Sequence, residues 1–198
     1  MDETLSFKPQ IDSISNKINK ALFCINRSKN FLTHKALKSL YYALIHPHLL
    51  YCINIYSSTA PSNLKRLTIL QKKAIRIITK SKANSHTNPL FLSTKILPLD
   101  KLILQSKLLF MHSIEYGYGL PTFINTWEKN FTRNPELNLR NANDFFLPQP
   151  RVDSFELIPL YNFPLEWNRL NDELKFQFNI TTFKIALKNY LFESLNPQ

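Results

Sequence analysis

Between Ser13 and Leu99 the chain has no aspartate or glutamate, and all 198 residues hold only two glycines and two cysteines. Gly117 and Gly119 are too few for a glycine-rich phosphate loop or a dinucleotide fingerprint, each of which needs several glycines at fixed offsets. Their scarcity also disfavours a hairpin-rich β-fold, whose turns require residues at positive φ. Cys24 and Cys52 follow an N-terminus, MDETLSFKPQ, that lacks a basic start and an apolar run. That favours reduced thiols over a disulfide, and an intracellular setting, cytoplasmic or nuclear. The longest apolar stretch, residues 43–55, is broken by His46, Pro47, His48 and Asn54, too short and too polar to span a bilayer.

The shortage of acids limits the chemistry as well. General acid–base and two-metal catalysis need carboxylates that converge on one point. Beyond residue 82 only Asp172 and Glu173 are adjacent, and neighbours on a helix or strand do not face the same way. They read as helix-start charges. Cys24, His46, His48 and Cys52 are metal-ligating types, but they lack the tight Cys-x-x-Cys or His-x₃₋₅-His pairs of a zinc site. The cysteines read instead as small core residues, and the histidines as polar flanks of Pro47. No catalytic residue, metal, cofactor or small-molecule substrate is expected.

What is present is basic charge, unevenly placed. Residues 1–82 carry fourteen Lys and Arg against Asp2, Glu3 and Asp12, a net of +11; residues 83–198 carry eleven of each sign. The chain therefore divides by charge into a basic region, 1–82, and a neutral one, 83–198. A surface of one sign builds a long-range potential that draws polyanions. Nucleic-acid backbone is the commonest such partner and an acidic membrane face the second.

Apolar spacing predicts a mainly α fold, with a three-helix N-terminal bundle from about residue 8 to 80. Ile11, Ile14, Ile18, Ala21, Leu22 and Ile25 form one stripe, with Pro9 near its start. Thr33 reads as the cap of a second helix with Leu37, Leu40, Tyr41, Leu44 and Tyr51 inward, kinked or ended by Pro47. A third begins at Pro61 and buries Leu64, Leu67, Gln71, Ala74, Ile75 and Ile78. Residues 79–97 read as a loop, and a fourth helix is expected from Lys101 to Tyr116, with Asp100 as N-cap and Gly117 as stop. Residues 119–165, rich in proline, read as extended or irregular with one short helix at 121–130. A last helix spans 181–194.

The third helix is the candidate site. Its outer side carries Lys65, Arg66, Lys72, Lys73, Arg76 and Lys80, in two rows at helical spacing, and Lys82 continues them. Lysines on a helix are commonly just its solvated face. Here, no counter-charge is interleaved at i+4, as a salt-bridged solvated helix would show.

These residues also carry a resemblance. Ala36-Leu-Lys-Ser-Leu-Tyr-Tyr-Ala-Leu-Ile-His-Pro-His-Leu-Leu-Tyr51 and Leu67-Thr-Ile-Leu-Gln71-Lys-Lys-Ala-Ile-Arg76-Ile-Ile are followed in order by further short matches. They are Pro89-Leu-Phe91, Ile96-Leu-Pro-Leu-Asp100, Leu120-Pro121, Asn138-Leu-Arg140, Pro150-Arg151, Trp167-Asn168, Phe183-Lys184 and Leu187-Lys188. Together they resemble the C-terminal part of jockey-like non-LTR retrotransposon reverse transcriptases, over nearly the whole chain. One departure is Asn171, where that family often has proline. The resemblance implies a thumb that grips a template–primer duplex, followed by a segment that binds the element's RNA or target DNA. It also implies that the fingers and palm, with the metal-binding aspartates, would precede Met1, so that the chain is a non-catalytic fragment. The expected partner is nucleic acid. The alternatives are a domesticated module whose basic face binds an acidic protein, and a pseudogene product with no selected function.

Overall fold

Apolar spacings of three and four residues become helices throughout a computed structural model of the chain, which describes residues 6–133, 135–136 and 140–195. Asp2, Glu3, Asn138 and Leu139 lie outside the described residues. The fold is mainly α; among the described residues the only β feature is one antiparallel bridge, Lys129 with Phe145. The chain divides into two compact units, Met1–Ile103 with Leu191–Gln198, and Leu104–Tyr190. The first unit thus runs beyond the charge boundary at residue 82. No helix among the described residues is long and apolar enough to cross a membrane.

In the first unit, α1 (Lys8–Ser28), α2 (His34–Leu44) and α5 (Pro61–Ile78) pack on one another. Every residue of the predicted α1 stripe is buried. The side chain of Thr33 caps α2 by accepting from the Ala36 amide at 3.3 Å. Pro47 ends that helix at Leu44, and a short α3 (His46–Leu50) restarts with the proline in its first turn, where a missing N–H is harmless. The restart shifts the inward register. Leu44 and Tyr51, expected inside, are exposed, and Ile45 and Leu49 are fully buried in their place. A four-residue α4 (Ile53–Tyr56) then leads to α5. Cys24 and Cys52, read as core residues, are both exposed free thiols. Neither falls on an apolar stripe, and Cys52 takes a left-handed φ of 55° between α3 and α4.

The stretch read as a loop between 79 and 97 contains α6 (Asn88–Thr94), started by Pro89 and anchored by buried Phe91 and Thr94. α7 (Leu99–Glu115) places Asp100 in its first turn rather than at its cap, where the carboxylate still meets the positive helix end. Gly117, at φ 73°, terminates it as expected.

The buried side chain of Gln71 links three parts of this unit. Its amide donates 2.9 Å hydrogen bonds to Tyr41 Oη on α2 and to the Leu97 carbonyl ahead of α7. Burial pushes the Tyr41 phenol far above its ordinary range, with the Gln71 bond opposing that shift.

The second unit corrects the reading of 119–165. Besides α8 (Pro121–Ile124) and α9 (Asn130–Arg133), it contains a 3₁₀ turn at Asp153–Leu157 and a ten-residue α10 (Pro159–Asn168) that runs through Pro164. A proline there cannot donate to the Leu160 carbonyl four residues back. The Trp127 indole N–H takes that carbonyl at 3.0 Å, so the helix continues with its acceptor satisfied. Asn168, next to buried Trp167, accepts from the Phe145 amide at 3.0 Å and donates to its carbonyl at 2.8 Å. Asn171 caps α11 (Asp172–Lys175), whose first-turn acids fulfil the helix-start reading of Asp172 and Glu173. α12 (Ile180–Glu193) buries Phe183 and Leu187.

His112 sits in the aromatic core of this unit, fully buried and stacked on Phe183 with ring centroids 4.3 Å apart. Its Nε2 lies 2.7 Å from the Gln177 carbonyl, which requires a proton on Nε2, and Nδ1 has no partner among the described residues. Desolvation lowers its pKa from 6.5, against the opposing pull of that carbonyl and of Glu115.

Replacing Gln71 with leucine strands two buried polar groups and should lower stability by about 1–3 kcal/mol in urea unfolding. Adding Tyr41→Phe should return part of that loss. The unfolded His112 binds a proton near pH 6.5 while the folded one resists it. Its stabilisation is therefore complete above about pH 6.5 and declines as pH falls through the lower folded value. Melting curves between pH 8 and 5 should show a steeper acid loss for the native chain than for His112→Gln, which keeps a donor but does not titrate. Equal slopes would acquit His112.

Candidate nucleic-acid interface

α1 and α5 run parallel. Near their starts Asp12 pairs with Arg66 at 2.5 Å, and the Thr59 hydroxyl donates to the Ser6 carbonyl at 2.6 Å. Near their ends the two helices flank an open groove of about 850 Å³. Asn19, Phe23, Asn26 and Asn30 line it from α1 and the turn beyond, and Lys73, Arg76 and Lys80 from α5 and its C-terminal turn; Lys29 completes the cationic set. No carboxylate, imidazole or thiol is among the lining residues.

The sequence-predicted residues separate into three groups. Lys73, Arg76 and Lys80 come together in the groove. Lys65 and Lys72 stand on the outer row of α5, and Lys82 is exposed in the following loop. Arg66 is held by Asp12, a half-exposed pair that contributes little to stability and lowers its availability. Among the described residues none of Lys65, Lys72, Lys73, Lys80 and Lys82 makes an ion pair. Arg76 is less free than its place on the basic face suggested. It is half-buried and donates from Nε to the Ser85 carbonyl at 3.1 Å, fastening the loop after α5.

Two helix C-termini meet at this end, each equivalent to roughly half a negative charge. Lys29, Lys73, Arg76 and Lys80 outweigh them, leaving the groove positive. Three cations of the second unit lie beside carboxylates, Arg169 3.9 Å from Glu166 among them. Lys129 pairs with Glu115 at 2.5 Å, and Lys175 lies 3.3 Å from Asp172 and 3.6 Å from Asp144.

The α1 side of the groove was not read from the sequence. Asn19, Phe23, Asn26 and Asn30 recur at spacings of four, three and four, a polar stripe beside the apolar one, and that period was the available signal. Phe23 is 62% exposed, with the Arg27 guanidinium 5.2 Å from its ring centroid.

Lys80 occupies the left-handed position of a Schellman cap at φ 53°, with Ser81 N donating to Arg76 O at 3.0 Å and Lys80 N to Ile77 O at 3.2 Å. Glycine usually fills that position, and a side chain there costs about 1 kcal/mol or more. Lys80→Gly should therefore raise the melting temperature while weakening polyanion binding. A lysine retained only for structure would give the first effect without the second.

No family model, no curated protein and no solved structure matches this chain.

Proposed function

We propose that the chain binds nucleic acid through its phosphate backbone, without catalysis, as the thumb region of a non-LTR retrotransposon reverse transcriptase would. One observation carries this reading: the cations of α5 and its C-terminal turn converge with Lys29 on a groove that has no acid, in a segment with none between Ser13 and Leu99. Lysine and arginine there supply charge-assisted hydrogen bonds to phosphate oxygens, and the neighbouring amides add neutral donors and acceptors. Phosphate contacts fix position and do not read sequence, so affinity should vary little from one sequence to another.

Salt titration tests it directly. On B-form DNA, five contacting cations, Lys29, Lys65, Lys72, Lys73 and Lys80, give a log–log slope of roughly −4 to −5 by counterion release. Replacing Lys65, Lys72 and Lys73 with glutamine should weaken binding by a similar factor on every sequence and flatten the slope by nearly three units, about 0.9 per contact. Folding should be preserved, because charges on this face contribute little to stability. The same number of changes at Lys101, Lys184 and Lys188 should matter far less. Equal losses from the two triples would remove the basis of the reading. Heparin binding with no nucleic-acid binding would favour an acidic protein partner.

A further inference from the structure

We propose that the groove between α1 and α5 takes a single-stranded nucleic-acid segment, with an unpaired base stacked on Phe23. This rests on the nucleic-acid reading above and narrows it. The two lips of the groove differ in chemistry. The α5 lip is cationic, with Lys73, Arg76 and Lys80, whereas the α1 lip is aromatic and amide-bearing along Asn19, Phe23 and Asn26, with a cation, Lys29, at its C-terminal end. A single strand has the same asymmetry, phosphates along one edge and bases along the other.

Width points the same way. Helices packed at the usual axial separation of about 8–10 Å leave a furrow too narrow to seat a whole duplex, whose major groove alone spans about 12 Å. A duplex lying across the rims would keep its bases paired and away from the ring. Phe23 is 62% exposed at the furrow and braced by Arg27, an arrangement that leaves apolar surface in water until something stacks on it. Aromatic rings beside a basic groove bind single strands by sequence-tolerant stacking. The asparagine amides face base edges that are open to them only when the strand is unpaired.

The test uses fluorescence anisotropy with three labelled probes: a homopyrimidine single strand, the same strand made abasic throughout, and a blunt duplex of equal length. Phe23→Leu keeps an apolar side chain and removes the ring. It should weaken single-strand binding roughly 5- to 100-fold, the contribution of one stacked base, and leave the abasic strand and the duplex unchanged. Phe23→Trp should retain single-strand binding. Lys73→Gln should weaken all three probes. If Phe23→Leu changes nothing, or changes all three alike, the single-strand proposal fails, while a Lys73→Gln loss would leave the backbone reading standing. If the native chain binds none of the probes, both fail together.

Discussion

The rotation of α5 about its axis decides where every cation of the basic face points, and the buried amide of Gln71 fixes that rotation. Gln71 is fully buried and donates to both Tyr41 and Leu97. At about 100° per residue, Lys72 falls on the flank of the helix and Lys73 nearly opposite the glutamine. Their burial follows: Lys72 is half-buried, and Lys73 is exposed at the groove. Apolar packing alone tolerates some rotational slack, since one leucine face differs little from its neighbour. Two hydrogen bonds with angular preferences do not. Specificity has a cost here, because the Gln71 carbonyl oxygen is buried without a partner among the described residues.

The helices were legible wherever one apolar stripe ran unbroken, as in α1 and α5, because burial on a packed core rewards a period near 3.6 directly. They were illegible where a side chain distant in sequence made them possible. α10 passes through Pro164 because Trp127, thirty-three residues from Leu160, supplies the missing donor. Nothing within residues 159–168 announces that. α6 was hidden by the polar run around it, although Asn88-Pro89 carried a helix-start signal. The register of Leu44 and Tyr51 was misread because a proline break resets the inward face, which a single periodic template does not follow.

The candidate site was half legible for a related reason. Charge is conspicuous in a sequence that excludes its opposite, so the α5 cations stood out. Which of them are available for a partner depends on tertiary contacts: Arg66 meets Asp12 across fifty-four positions, and Arg76 is committed to Ser85. The asparagines of α1 are neutral and were passed over, though they complete the groove.

Scarcity of glycine ties the fold to the site. Chain reversals after α5 and α6 need a left-handed residue, and in both places a lysine supplies it, Lys80 and Lys95. Each is destabilised by its backbone conformation and partly compensated by the negative helix end it faces. At Lys80 the position also puts a cation where the groove opens. Glycine would make the same turn at lower conformational cost but would leave the C-terminus of α5 without its charge. Stability alone favours glycine at that cap, because the attraction of the helix end only partly offsets the backbone cost, whereas a site for an anion would favour lysine.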